Sequence, residues 1–179
     1  LPILNEKLVA GENLVSIKVI SPDKLQEKIY NINITANEFV YLSDLNWNPE
    51  SYVGYGTFNR DKAPNGGVIT LLKDGDVKSF EKGIGAHAQS ELIFDIEGKG
   101  YERLQGFAGV DYSQATSLNG QVTFKVLLDG VEAFNSGEIN GSSECKELDL
   151  ELNGVKEVRL IALSGLNNWN DHAVWADAK

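Results

Sequence analysis

Apolar side chains recur at every second residue over most of this chain, and that period dictates extended strands. Val15, Ile17 and Val19 alternate with polar neighbours, as do Tyr30, Ile32 and Ile34. Residues 92–96, 122–128, 148–152 and 158–163 show the same pattern, rich in Val, Ile and Leu. In a strand, successive side chains point to opposite faces, so each run lays an apolar row on one side. Between the runs stand Pro22-Asp23, Asp74-Gly75, Asp129-Gly130, Asn140-Gly141 and Asn153-Gly154. Asn-Gly and Asp-Gly accept the positive φ angles that tight hairpin turns demand. No helical period persists beyond about two turns; residues 42–45 are the best short helix. The class is all-β, and many short strands at regular spacing predict a β-sandwich.

Length and charge narrow the field further. The chain has 179 residues, room for one domain of roughly 150 residues and an additional piece. Cys145 is the single cysteine, which excludes an intrachain disulfide framework and a Cys-rich zinc site. A net charge of −10 opposes binding to a phosphate backbone, so no nucleic-acid partner is expected. No run of 18 apolar residues is present, so no membrane insertion is expected. The chain opens Leu1-Pro2 and contains no Met, and it reads as an excised part of a longer polypeptide.

The pattern divides near residues 35–38. Residues 1–36 hold two strands joined by Ser21-Pro22-Asp23-Lys24, and two strands alone are not stable in water. They are either the end of an upstream module or added strands of the next one. Residues 38–179 contain no Pro/Ser-rich linker and no internal repeat, and read as one unit.

Few residues point to covalent chemistry. No Gly-x-Ser-x-Gly elbow is present, and Cys145 reads as a small half-buried side chain. The 26 Asp and Glu residues guarantee some carboxylate pair at glycosidase spacing, so acid abundance alone identifies nothing. His87 and His172 lack the helical spacing and third partner of a zinc site. The segment from Asn167 to Asp177 is different: it combines Asn167, Asn168, Trp169, Asn170, Asp171 and His172. A sugar presents C–H faces and hydroxyl edges together, and an indole with amides, an acid and an imidazole matches both. Trp175, inside Ala173-Val174-Trp175, reads as core; Trp169, flanked by Asn, reads as exposed. Gly83-x-Gly85 lacks the Gly-Lys-Ser/Thr of a phosphate loop, and it reads as a tight turn before a strand.

Several motifs occur together in order. They are Tyr41-Leu42-Ser43-Asp44-Leu45 with Trp47, Gly54-Tyr55-Gly56, Lys82-Gly83-Ile84-Gly85-Ala86-His87-Ala88, Gly106-Phe107-Ala108-Gly109-Val110-Asp111 and Asp171-His172-Ala173-Val174-Trp175-Ala176-Asp177-Ala178. This set resembles the NPCBM family, family 51 of carbohydrate-binding modules. The likeness covers residues 38–179, with Val174 where the family often has an acidic or polar residue. Residues 11–35, with Gly11-Glu12-Asn13 and the Ser-Pro-Asp turn, resemble the last two strands of a cadherin-like β-sandwich repeat.

The resemblance implies a β-sandwich jelly roll of the galactose-binding-domain-like type. It implies a lectin-like, non-catalytic module of a secreted or cell-surface bacterial glycoside hydrolase, monomeric, binding terminal galactose or blood-group A/B-type glycans. Site residues carried over are His87, Asn168, Trp169, Asp171 and His172, with Glu91 and Trp47 of second rank. Trp169 would stack on the sugar, while His87 and Asn168 would hydrogen-bond hydroxyls, including the axial O4 of galactose. The family likeness also implies a structural calcium, for which Asp61, Asn65 and Asp177 are the candidate ligands. A small two-carboxylate glycosidase domain and an adhesion or spacer module are the competing functions.

Overall fold

The computed structural model describes residues 11–36, 39–117 and 119–179. The Leu1-Pro2 opening and part of the 35–38 boundary lie outside the described residues. The chain divides into two units, residues 1–39 and 40–179.

In the first unit, β1 (Gly11–Ile20) and β2 (Glu27–Ala36) pair antiparallel as a two-stranded sheet. Cross-strand partners share a face, so Val15 with Ile32 and Ile17 with Tyr30 make one side apolar. Ile17, Tyr30 and Ile32 are nevertheless exposed.

The second unit begins with a 3₁₀ turn at Leu42–Asp44, where a short helix is predicted from sequence. Twelve strands follow: β3 (Tyr52–Val53), β4 (Asn59–Arg60), β5 (Ile69–Lys73), β6 (Asp76–Phe80), β7 (Gly83–His87), β8 (Ser90–Asp95), β9 (Arg103–Val110), β10 (Gln121–Leu128), β11 (Val131–Asn140), β12 (Lys146–Glu151), β13 (Glu157–Ser164) and β14 (His172–Ala176). A second 3₁₀ turn, Tyr112–Gln114, follows β9. One five-stranded sheet runs β11-β10-β13-β8-β3 and the other β12-β9-β14-β7-β4, with every pairing antiparallel. The predicted β-sandwich is the observed fold.

Alternation builds the core. Val122, Phe124 and Val126 on β10, with Leu92 and Phe94 on β8, face Leu104, Ala108 and Trp175 of the other sheet. The Trp175 ring meets Phe124 edge-on at a centroid distance of 5.1 Å. On the outer side of β14, Val174 and Ala176 are buried with Ile69 and Leu71 of the β5–β6 hairpin. Val174 is fully buried because the β5–β6 hairpin covers this face of β14. Asp74 and Gly75 join β5 to β6 with φ of 55° and 79°, as the Asp-Gly sequence predicts.

The Gly83-x-Gly85 segment corrects the sequence reading. It is not a turn but β7, paired with β14 on one side and β4 on the other. A Cβ at Gly85 would sit 2.3 Å from the Lys62 carbonyl oxygen and 2.7 Å from the Ala63 carbonyl carbon. The glycine is required by the backbone of residues 62–64 crossing the strand.

Candidate functional site

β7 ends at His87 and β14 begins at His172, and the two are direct cross-strand partners. Their rings meet edge-on with centroids 5.1 Å apart. Tyr55 closes the other side of His87, also edge-on, at 5.2 Å. The loop after β3 is fixed here because the Gly54 N–H donates to the Gln89 carbonyl at 2.8 Å. Tyr55 itself is 67% exposed, so its ring forms a wall open to solvent.

A third loop reaches the pair from β9. Asp111 is buried, and its carboxylate accepts from Thr70 N–H at 2.9 Å and Ser113 N–H at 3.1 Å. These bonds cap the Tyr112–Gln114 turn and set Gln114 against His172, with Nε2 to Nδ1 at 3.3 Å. An amide nitrogen only donates, so Nδ1 of His172 accepts and its proton rests on Nε2. Burial lowers the His172 pKa below the ordinary histidine value, and repulsion from His87 adds to this, while Asp111 pulls the other way. His172 is therefore neutral at neutral pH, a donor suited to an uncharged hydroxyl.

The fourth loop, residues 165–171, carries Asn168 and Trp169 directly into β14. Asn167 Oδ1 accepts from the Trp169 N–H at 2.9 Å, and Asn170 Nδ2 donates to Ser117 Oγ at 2.8 Å, tying this loop to the third. Trp169 is 68% exposed, as its Asn neighbours predict. Loops after β3, β7 and β9 and before β14 thus gather at one end of the sandwich. They present two aromatic rings, two imidazoles and amides.

Other residues assigned from sequence fall elsewhere. Asp171 is fully buried, and neither carboxylate oxygen has a hydrogen-bond partner. It cannot contact a sugar in this geometry, because the loop turns its side chain inward while its carbonyl accepts from Ala88 N–H at 2.9 Å. Burial raises its pKa to about 6; Ser164 and the Gln121 backbone draw it partly back without completing a hydrogen bond, and Glu138 adds repulsion. Glu91 lies on β8 in the opposite sheet, paired with Arg159 at 2.9 Å. Trp47 packs against the core with Arg60 over its ring at 3.8 Å, and it lines a cavity at the other end of β8.

The calcium candidates each have other partners. Asp61 pairs with Lys82 at 2.9 Å and accepts from Gly83 N–H at 3.2 Å. Asp177 donates its backbone N–H to the Lys82 carbonyl, but its carboxylate pairs with Lys179 at 3.0 Å. Asn65 Oδ1 accepts from Gly67 N–H, and its amide lies 3.5 Å from Ser113 Oγ, toward the third loop. The Lys82 ammonium, shared with Asp44 at 2.6 Å, already supplies the positive charge between these acids. As side-chain ligands, the three residues do not fit a calcium cage. Among the described residues, no cluster of three His, Cys, Asp or Glu forms a metal site.

Cys145 packs beside Ile69 and Leu71, and burial raises its thiol pKa, which opposes a nucleophilic role. Tyr55 is a residue of the candidate site that sequence reasoning did not single out, and Gln114 was expected only as part of a loop, residues 114–119, supplying extra contacts. The signal for Tyr55 was present, an aromatic ring exposed between two glycines in Gly54-Tyr55-Gly56.

The NPCBM/NEW2 domain family matches residues 38–179. A family 51 carbohydrate-binding module from a Clostridium perfringens family 95 glycoside hydrolase, solved with methyl-galactose, is 33% identical. It has a TM-score of 0.73, with 78% of this chain and 97% of that one covered. The CBM51-1 and CBM51-2 domains with the M60 catalytic domain of Clostridium perfringens ZmpB give 35% identity and a TM-score of 0.77, covering 95% of this chain and 18% of that one. A blood-group-substance endo-1,4-beta-galactosidase of Clostridium perfringens is 28% identical over 163 residues, or 78% of this chain and 20% of the enzyme. The chain spans 10% to 20% of the length of the curated relatives it matches.

Proposed function

This chain belongs to the NPCBM/NEW2 domain family and is a non-catalytic carbohydrate-binding module, and from that premise we propose that its His87–His172 end binds terminal galactose. The observation that carries the site is the exposed Trp169 on the loop that leads into a neutral, paired histidine, with Tyr55 as a second open ring. Trp169 stacks on the apolar face of the sugar. His172 Nε2–H donates to a hydroxyl, and Asn168 supplies both a donor and an acceptor. The related Clostridium perfringens module solved with methyl-galactose supports this ligand class. Blood-group A/B-type glycans are the extended ligand, with the loop of residues 111–117 beside His172 meeting the second ring.

Such a shallow site gives weak affinity, roughly 1 mM to 1 μM. Titration calorimetry with galactose, N-acetylglucosamine and glucose tests it. Heat with galactose and none with glucose is expected. Trp169→Ala is expected to weaken galactose binding about tenfold or more, equivalent to ~1.4 kcal/mol. Silence with every galactose-containing glycan at millimolar concentration removes the reading. Unchanged affinity in a folded Trp169→Ala protein favours the spacer role.

The parent protein is proposed to be an exported bacterial glycoside hydrolase, with the module a monomer that holds the enzyme on glycan. The β1–β2 hairpin, with one apolar face exposed, is proposed as the closing strands of an upstream cadherin-like sandwich. A structural calcium held by Asp61, Asn65 and Asp177 is proposed from the family likeness alone, and binding it would require Asp61 and Asp177 to leave Lys82 and Lys179. Its expected signature is a melting temperature that falls by several degrees on chelation and returns with calcium. An unchanged melting temperature removes the ion.

A further inference from the structure

We propose that the cavity beside Trp47 is a second binding site for a neutral hexose, at the opposite end of the sandwich from the histidine pair. The cavity has a volume of about 410 Å³, inside the range of small-molecule sites. Its walls include Trp47 and Tyr101, both half-buried against the core. Arg60 stacks on Trp47 at 3.8 Å, which holds the indole as a fixed wall rather than a mobile surface ring.

Polar groups line the same space. Asn48 Nδ2 donates to Asp95 Oδ2 at 2.9 Å, and Asn48 Oδ1 accepts from Glu50 N–H, so these two side chains are held in place. The other carboxylate oxygen of Asp95 is left to accept. Among the described residues, the side chains of Asn46, Lys99 and Tyr101 make no hydrogen bond within the protein, and all three line the cavity. A sugar hydroxyl donates and accepts at once, so a carboxylate oxygen beside an ammonium and an amide satisfies both roles. Trp47, packed by Arg60 and Phe58, contributes a fixed apolar edge, and Tyr101 contributes a second aromatic wall for the C–H groups of a pyranose ring. The mixture of one acid and one base favours an uncharged sugar over an anionic one.

The two sites cannot share one monosaccharide. β8 has six residues, spans roughly 17 Å, begins beside the loop at Gln89 and ends at Asp95 in the cavity. A module with sites at both ends would hold two glycan termini, and avidity would exceed either site alone.

Amide chemical-shift mapping of the whole chain with galactose, glucose and N-acetylglucosamine at tens of millimolar is the test. Two separate sets of shifts are expected with at least one sugar, one around His87 and His172 and one around residues 46–49 and 94–101. The double variant Asn46→Ala/Lys99→Ala changes two exposed side chains and should fold normally. It is expected to weaken the second set about tenfold and leave the first intact, while His172→Ala does the reverse. Shifts confined to the histidine end, or a second set unaffected by Asn46→Ala/Lys99→Ala, overturn the proposal. Absence of the histidine set in the unsubstituted protein, with the second set present, would instead overturn the galactose reading.

Discussion

Asp171→Asn is expected to stabilise this protein at pH 7.5 by about 3 kcal/mol and to change little near pH 4. The folded-state pKa of Asp171 is raised to about 6 from 3.8, because its carboxylate is buried without a hydrogen-bond partner. A raised carboxyl pKa means that the folded state prefers the protonated form. The stability it contributes is complete below pH 3.8 and lost as pH rises through about 6. The gap between those two values corresponds to about 3 kcal/mol of penalty for the ionised form. Asn keeps the shape and removes the charge. Thermal melts of both proteins across pH 4–8 should diverge upward through pH 6, with a rise of several degrees for the variant at neutral pH. A variant less stable than the parent at neutral pH would show that the charge has a compensating partner, such as a bound cation.

Gly85→Ala is expected to destabilise the fold by about 3 kcal/mol or more, or to prevent folding. The added methyl would meet three backbone atoms, Lys62 O, Ala63 C and Pro64 N, at 2.3, 2.7 and 2.8 Å. Backbone yields less readily than a side-chain tip, so the clash must displace residues 62–64 or β7 itself. Either movement disturbs Asn59, whose amide donates to the carbonyls of Ala63 and Pro64 at 3.0 Å. Denaturant unfolding of Gly85→Ala beside Gly66→Ala separates packing from conformational freedom. Gly66 has φ of 84° but open space around its would-be Cβ, so it should lose only the smaller strain cost. Equal losses at the two positions would sink the packing argument.

The contrast at Gly85 shows where sequence reading stopped. A glycine that permits a turn and one that permits a crossing backbone look identical in sequence, because the crossing residues 62–64 lie more than twenty positions before Gly85 and only folding brings them onto the strand. The same limit hid β9, where Gly106 and Gly109 interrupt the alternation that identified β8 and β10. It also misassigned Asp171. Beside Asn170 and His172 the acid reads as polar and available, yet a strand entering the core turns it inward. Trp169 and Trp175 were separable because their neighbours differ, Asn on both sides of one and Val-Ala around the other. Glu91 and Trp47 had no such local signal, since which sheet and which end they occupy depends on pairings with Tyr52, Ile161 and Arg60.

Period-2 alternation and Asp-Gly turns determined by themselves that this chain folds as an all-β sandwich, because local backbone geometry alone sets which face each side chain takes. The ordered motifs and the Asn/Trp/His segment determined the family and the ligand class. Tertiary structure decided which residues come together at the candidate site. Pairing β7 to β14 sets His87 against His172, the Asp111 cap brings Gln114 to them, and the loop after β3 adds Tyr55. The physical reason is that these contacts join segments that are tens of residues apart, and only the burial of both sheets fixes their register.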